Sequence, residues 1–261
     1  MWHTVHVSAP DDVLALVHAL LPQAEHPMPA VRSMHYAVRR TQAGLEIFEE
    51  GDALAIVPTP SEATDAIYVR AHRRAFELAS LAGWVRLHAA TVDLGDRRIL
   101  LVGPSGVGKT TLTVRLLFDG GDVQGDESVL ARAGASLAVP RAIHLKAGTE
   151  RFVPELAPLL EHLPRAGDVT ILDPVAVGRP WRLVQRRIDH VVLLEGDGPV
   201  ACTPADGGAV LAALVRDAFP LTETKSALVT RIVEAVSSAT GHRLTAGEPA
   251  QMVEAMRRAV R

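Results

Sequence analysis

One short segment of the chain combines residue types and a spacing that suit phosphate binding. Residues 103–110 read Gly-Pro-Ser-Gly-Val-Gly-Lys-Thr and match G-x-x-x-x-G-K-[ST] at every fixed position. Glycines let the backbone curl so that several N–H groups point into one concavity, and a following helix adds its unpaired amides. Lys109 would reach the β- and γ-phosphates of a nucleoside triphosphate, and the Thr110 hydroxyl would coordinate Mg²⁺. The alternative is a chance glycine turn with a surface lysine. The predicted nucleotide-binding residues are Gly103, Ser105, Gly106, Val107, Gly108, Lys109, Thr110 and Thr111.

A pair of adjacent acidic residues follows this segment. Asp126 lies seventeen positions after Lys109, and Glu127 comes next. Two carboxylates beside a phosphate site suit two jobs, since one can hold Mg²⁺ and the other can accept the proton of an attacking hydroxyl. Neighbours on a strand point to opposite faces, so both can serve only if the backbone bends there. A solvated pair in a turn is the alternative interpretation.

A phosphate-binding loop does not by itself name a reaction, so companion motifs matter. The LSGGQ-like signature of ABC transporters is absent, and residues 224–227, Thr-Lys-Ser-Ala, lack the aspartate of an N-K-x-D guanine box. The apolar run 191–194 ends on Glu195 rather than on aspartate. An interior strand that ends in a surface glutamate is the simpler interpretation of that run.

The elements around the loop predict α/β structure. An apolar strand at 99–102 precedes it, and a helix at 110–118 follows it. Residues 146–180 contain five prolines and are predicted to be loop-rich. The other predicted elements after residue 84 are a hairpin of 85–94 with 97–102, a strand at 122–124, a hairpin of 128–132 with 136–139, a strand at 189–194, and helices at 208–219, 225–238 and 248–260.

The first 83 residues form a separate small α+β region in this interpretation. A helix is expected after Ser61, which would cap it, and Gly83 would end it. The remaining predicted elements are strands at 4–7, 33–39, 45–49 and 53–57 and a helix at 11–21. The predicted domains are therefore 1–83, the N-terminal region, and 84–261, the catalytic domain.

Composition excludes several classes of protein. The 261 residues are 48% hydrophobic and 22% charged, which is ordinary globular usage. A net charge of −3 argues against a simple basic nucleic-acid binder. The single cysteine, Cys202, excludes an internal disulfide framework and a Cys-based zinc site. The chain shows neither a signal-peptide pattern nor an apolar run of about 20 residues, so we expect a soluble cytoplasmic protein without a membrane or nucleic-acid partner.

Three segments in order resemble the HPr kinase/phosphorylase family of bacterial serine kinases. They are Leu-His-Ala-Ala at 87–90, the glycine loop at 103–110, and Gly-Asp-Glu-Ser-Val at 125–129. The family has H-G, G-D-S-G-V-G-K-S and a G/A-D-D segment at similar spacing. The likeness is best over residues 84–146. It implies a P-loop kinase core akin to phosphoenolpyruvate carboxykinase, here with a small α+β N-terminal portion and a helical C-terminal third.

The resemblance also implies an activity and roles for particular residues. The activity is transfer of the γ-phosphoryl group of ATP, with Mg²⁺, to a serine or threonine hydroxyl. Asp126 matches the family's catalytic base, Glu127 stands where a second aspartate would be, and His88 matches a histidine near the transferring phosphate. Without the resemblance, a half-buried structural role is the default for His88. Metal binding would then fall to Thr110, Asp126 and Glu127.

A segment at residues 140–146 is similar to a Pro-Arg…Leu-Lys segment in smaller relatives of this family. Arg141 or Lys146 would neutralise the charge of the γ-phosphate in the transition state. Surface cations on a loop are the alternative interpretation.

Departures from the family pattern narrow the expected acceptor. Pro104 replaces the loop aspartate, and the glycine-rich segment associated with phosphorolysis is not found. The first 80 residues do not look like the family's usual first domain. The chain looks closer to compact relatives encoded beside ribosomally made peptides, including lasso-peptide precursor kinases. The expected partner is therefore a peptide or protein with a Ser or Thr hydroxyl, such as a ribosomally made precursor peptide.

Two other functions stay open at this point. One is a kinase acting on a small molecule such as free serine, and the other is a nucleotide-binding regulatory module that transfers nothing. HPr kinases are hexamers, and a homo-oligomer is left open for this chain.

Overall fold

The computed structural model describes residues 2–21, 30–139, 141–218 and 220–261. Pro140 and Phe219, which belong to the predicted segments 140–146 and 208–219, lie outside them. The described chain is a mixed α/β structure, which confirms the predicted class at that level. Its strands are β1 (Trp2–Ser8), β2 (Ala30–Thr41), β3 (Gly44–Glu49), β4 (Asp52–Val57), β5 (Val85–His88), β6 (Ala90–Leu94), β7 (Arg97–Val102), β8 (Asp122–Gly125), β9 (Ser128–Arg132), β10 (Ala135–Ala138), β11 (Ile143–Leu145), β12 (Arg165–Ala166), β13 (Val169–Leu172), β14 (His190–Asp197), β15 (Cys202–Pro204) and β16 (Thr240–Ala246). Its helices are α1 (Asp11–Leu20), α2 (Pro60–Leu81), α3 (Lys109–Phe118), α4 (Gly207–Arg216), α5 (Lys225–Val236) and α6 (Pro249–Ala259).

A six-stranded sheet in the order β15-β16-β14-β7-β6-β8 carries the glycine loop. Its centre is parallel, since β14 pairs in parallel with both β7 and β16. When both faces of a strand are buried, its sequence is a continuous apolar run, because alternate side chains point into the cores on opposite faces of the sheet. Ile99 and Leu101 pack into the core that contains α3 and α6, while Leu100 and Val102 pack into the core that contains α4 and α5.

The predicted continuous strand at 85–94 is wrong, because the chain changes sheets at Ala89. β5 pairs with β9 in the three-stranded sheet β10-β9-β5, whereas β6 pairs with β7 in the six-stranded sheet. The Ala89 N–H donates to the carbonyl of Glu127 at 3.1 Å. His88 and the acidic pair therefore meet where the two sheets join.

The N-terminal elements form a four-stranded sheet, β1-β2-β3-β4, packed against α1 and α2. Val13, Ile47 and Ile67 are fully buried in its core. The cap of α2 is Thr59 rather than the predicted Ser61, since the Thr59 hydroxyl accepts from the backbone N–H of Glu62 at 3.2 Å and Pro60 occupies the first turn. Proline is favoured there because its missing N–H would be unpaired in any case.

The last third of the chain contains the three predicted helices, with α4 ending at Arg216. It also contains β14, β15 and β16, so it is a mixed rather than a helical segment. The proline-rich stretch contains three short 3₁₀ turns and the strands β12 and β13, which join β11 in a small sheet. Among the described residues, no helix has both the length and the apolar character needed to cross a membrane.

A buried arginine, paired with an aspartate within the six-stranded sheet, also links that sheet to the three-stranded sheet β10-β9-β5. Arg98 of β7 is completely buried and donates to both carboxylate oxygens of Asp93, each at 2.8 Å. Its third contact is the carbonyl of Ser136 in β10 at 3.0 Å.

Replacing Arg98 by methionine is expected to lower the free energy of unfolding by about 3–5 kcal/mol, because Asp93 would stay buried without its main partner. Urea denaturation measures this. Arg97→Met is the matched control, since the neighbouring side chain is 51% exposed. A loss below about 1 kcal/mol, the range of a surface pair, would show that the contacts of Arg98 are not needed to stabilise the fold.

Candidate functional site

The glycine loop leaves β7 and ends at the first turn of α3, as the motif predicts. Gly106 and Gly108 have φ values of 84° and 98°, which residues with a side chain rarely adopt. Gly103 needs its small size for another reason. A Cβ there would lie 2.8 Å from the carbonyl oxygen of Leu194, where the loop crosses β14. The backbone of the loop is thus fixed by its glycines.

The loop opens into a cleft of about 320 Å³. This cleft brings together most of the residues singled out from the sequence. Its lining residues are His88, Ser105, Gly106, Gly108, Lys109, Thr110, Thr111, Asp126, Glu127, Arg141, His144, Lys146 and Thr149. Of the predicted site residues, Gly103 and Val107 do not line it. Gly103 packs against β14, and the Val107 side chain packs on the core.

Lys109 is the most buried cation of the cleft, with 9% of its surface exposed. Its ammonium group donates to the carbonyls of Gly103 at 2.6 Å and Pro104 at 3.1 Å. An ammonium has three N–H donors, so one is left for a ligand. Burial lowers the pKa of Lys109, and Asp217 acts in the opposite direction. An anion bound beside this ammonium would offset its lost hydration.

Asp126 is a buried carboxyl group, with 6% of its surface exposed, and not the solvated turn residue of the alternative interpretation. β8 ends at Gly125 and β9 begins at Ser128, so the chain leaves the regular strand at the acidic pair. Burial is the main reason that the pKa of Asp126 is raised to about 6; Arg141 acts to lower this pKa and the charge of Glu127 acts to raise it. Such a group is mostly ionised at pH 7 to 8 and still basic enough to take a proton.

Arg141 pairs with both carboxylates. One terminal nitrogen lies 3.4 Å from Asp126 Oδ1, and the other pairs with Glu127 Oε2. The ring of Tyr68, on α2, lies 5.9 Å from the guanidinium carbon. Burial raises the pKa of Tyr68 to about 12, so its hydroxyl stays protonated. Tyr68 has no motif around it, and nothing in the sequence pointed to it.

The histidines of this region are neutral at pH 7. Burial lowers the pKa of His88, with Lys109 acting in the same direction. Burial lowers the pKa of His144 to about 4, and Arg141 adds to that shift. His72 of α2 stacks on Tyr68 with ring centroids 4.0 Å apart, and burial lowers its pKa to about 4. The positive charge of the cleft is therefore carried by Lys109, Arg141 and Lys146.

The oxygen donors of the cleft fit Mg²⁺ in the form in which it accompanies nucleotides. Among the described residues, no group of three or more His, Cys, Asp or Glu side chains could hold a metal ion on its own. Magnesium at a triphosphate needs only one or two protein oxygens, since phosphates and water complete its octahedron. Thr110 and the buried Asp126 line the same cleft and supply such donors.

Comparisons with known proteins show a distant structural similarity. No family model matches the chain, and no curated protein matches it. Among solved structures, the chain is similar to the Hpr(Ser) kinase/phosphatase from Coxiella burnetii, with a TM-score of 0.39 and 14% sequence identity. The similarity covers 67% of this chain and 95% of that chain. At this distance it assigns no activity to the cleft, whose chemistry follows from its own residues.

Proposed function

We propose that the chain is an ATP-dependent kinase that transfers the γ-phosphoryl group to a Ser or Thr hydroxyl of a peptide or protein, on a core of the HPr kinase type. One observation carries the proposal. The glycine loop with Lys109 and the buried carboxylate of Asp126 line the same cleft. A phosphate cradle facing a base is what transfer to a hydroxyl requires.

ATP binding would use the backbone first. The N–H groups of the loop and of the first turn of α3 would hold the phosphates, and Lys109 would contact the β- and γ-phosphates. Thr110 and Asp126 would hold the Mg²⁺ of the nucleotide, with Glu127 beside them. When bound, Mg²⁺ neutralises phosphate charge and orients the terminal group.

Transfer would then require that the acceptor hydroxyl is positioned in line with the γ-phosphoryl group and that one group accepts its proton. The acceptor oxygen forms a bond to the γ-phosphorus, while the bond from that phosphorus to the bridging oxygen breaks and ADP leaves with the electron pair. Asp126 takes the proton of the attacking hydroxyl. Arg141 holds Asp126 and Glu127 in place, and neutral His88 can hydrogen-bond to the acceptor or to a phosphoryl oxygen.

The burial of Asp126 favours an enzyme over a binding module. An ionised carboxylate at 6% exposure costs stability at neutral pH, and such groups concentrate at catalytic sites. The order of motifs along residues 84–146 supports a hydroxyl of serine or threonine as the acceptor.

Label transfer tests this proposal. The protein is incubated with Mg²⁺, γ-labelled ATP and a set of serine-containing peptides, and mass spectrometry locates the added phosphoryl group. The expected result is label on a Ser or Thr hydroxyl, with matched alanine peptides unlabelled. If free serine is labelled instead and peptides are not, the chain is a small-molecule kinase. Release of phosphate with no labelled acceptor would point to the nucleotide-binding module.

The rate of transfer is expected to rise with pH through about 6 and then level off. Asp126 must be deprotonated to accept a proton, and burial places its pKa at about 6. Single-turnover rates at constant ionic strength between pH 5 and 8 measure this. Nucleotide affinity measured over the same pH range distinguishes ionisation of ATP from ionisation of Asp126. A rate that falls as pH rises through 6 would rule out Asp126 as the base.

A further inference from the structure

Two cations other than Lys109 line the cleft, and the structure gives them different surroundings. Arg141 is 13% exposed at its side chain and is held by two carboxylates. Its charge is therefore already balanced by Asp126 and Glu127. A guanidinium that turned from these partners toward a phosphoryl group would leave two acidic groups without a cation, one of them buried.

Lys146 makes no such ion pairs among the described residues, and it is exposed. Its backbone, by contrast, is fixed, because the Lys146 carbonyl accepts from the Thr149 hydroxyl at 2.7 Å and from the Thr149 N–H at 3.2 Å. Thr149 is itself buried, and Gly148 takes the left-handed conformation that closes the turn. The turn thus fixes where the side chain of Lys146 begins while its ammonium is uncompensated.

The position of Lys146 within the cleft matters as much as its freedom. It follows β11 directly and lines the same cleft as the glycine loop and Asp126. Lys109 and Lys146 both line this cleft, so their charges repel one another. Two cations that repel one another across a cleft are stabilised together when an anion enters between them.

We propose that Lys146, rather than Arg141, is the second protein cation that contacts the transferring phosphoryl group, and that Arg141 is a positioning residue for Asp126 and Glu127. This rests on the proposed function. In the transition state the negative charge spreads over the three equatorial oxygens of the γ-phosphoryl group. Lys109 faces the β,γ side, and Lys146 would face an equatorial oxygen from the opposite wall. No proton or bond changes at Lys146.

Binding of ADP with aluminium fluoride tests this without knowledge of the acceptor, because the planar fluoride mimics the transferring group. The wild-type protein is expected to bind ADP with aluminium fluoride and Mg²⁺ far more tightly than ADP alone. Lys146→Met should reduce that gain by about 10²–10³-fold, the cost of one lost charge-stabilising contact, and leave ADP affinity unchanged. Lys146→Arg should restore much of it.

Lys225→Met is the matched control, since Lys225 is an exposed lysine at the start of α5, outside the cleft. Because Lys146 is exposed, the variant should fold, and its thermal unfolding curve checks this. If aluminium fluoride does not increase the affinity of the wild-type protein for ADP, the proposed function is wrong. If the wild-type protein shows this increase in affinity and Lys146→Met shows it in full, only the role of Lys146 is wrong.

Arg141→Lys separates the two roles further. If Arg141 acts by holding the carboxylates, this variant lowers the single-turnover rate of transfer, because a lysine ammonium lacks the planar fork that reaches Asp126 and Glu127 together. The affinity for ADP with aluminium fluoride should change little. A large loss of that affinity would return the phosphoryl contact to Arg141.

Discussion

Replacing Lys109 by methionine is expected to lower phosphoryl transfer by about 10³-fold or more and to weaken ATP binding. Lys109 is 9% exposed, and the carbonyls of Gly103 and Pro104 occupy two of the three N–H donors of its ammonium, which leaves one for a phosphate. A buried cation acts on phosphate charge at low dielectric, where one lost contact costs about 10²–10³-fold in rate. Lys109 is also expected to bind the ground-state triphosphate, so the affinity falls as well.

The loss should not come from unfolding. Methionine has a similar length, and its thioether avoids the cost of burying a charge. We therefore expect an unfolding temperature equal to or above that of the wild type, with calorimetry reporting ATP affinity and label transfer reporting the rate. Lys225→Met is again the control. Wild-type ATP affinity and rate in Lys109→Met would mean that the glycine loop is not the phosphate site.

Replacing Asp126 by asparagine is expected to lower transfer by about 10²–10⁴-fold, the range for a lost general base. Asparagine keeps the shape and can still accept from Arg141, so nucleotide affinity measured without Mg²⁺ should change little. Glu127→Gln is the matched control: its side chain is 31% exposed and it is not assigned as the base, so a smaller loss is expected. Single-turnover label transfer measures both variants.

The same substitution should raise stability above pH 6. Burial raises the folded-state pKa of Asp126 to about 6, above its unfolded value of 3.8. Protonation of Asp126 therefore favours the folded state, and this contribution is lost as pH rises through 6. Asparagine cannot ionise, so Asp126→Asn should gain stability relative to wild type at pH 8 and not at pH 4. Denaturation at both pH values measures the difference.

If Asp126→Asn transfers the phosphoryl group at the wild-type rate, Asp126 is excluded as the base.

The loop and the acidic pair could be predicted because their chemistry is local. Gly106 and Gly108 are required by the positive φ of their own backbone, and the spacing to Lys109 follows from the loop itself. For the acidic pair, the sequence predicts that both carboxylates face the phosphate site only if the backbone bends there. The chain does leave the regular strand at this pair, between β8 and β9.

Other features depend on contacts between distant parts of the chain. The change of sheet at Ala89 carries no glycine or proline, because it is set by which strands β5 and β6 find as partners. The residue pattern predicts no strand between the helices at 225–238 and 248–260, although β16 lies there and contains Gly241. A Cβ there would lie 2.8 Å from the carbonyl of Ala205, so this glycine allows close packing rather than a turn. Tyr68 reaches Arg141 only because α2 packs beside the cleft.

The most direct test is the structure of the protein with Mg²⁺ and a non-hydrolysable ATP analogue. We expect the triphosphate on the N–H groups of residues 103–111, with the terminal phosphoryl group facing Asp126 across the space for one hydroxyl. Lys109 and Lys146 should both contact that group. An analogue bound elsewhere, or one whose terminal phosphoryl group points away from Asp126, would show that this cleft is not the site of transfer.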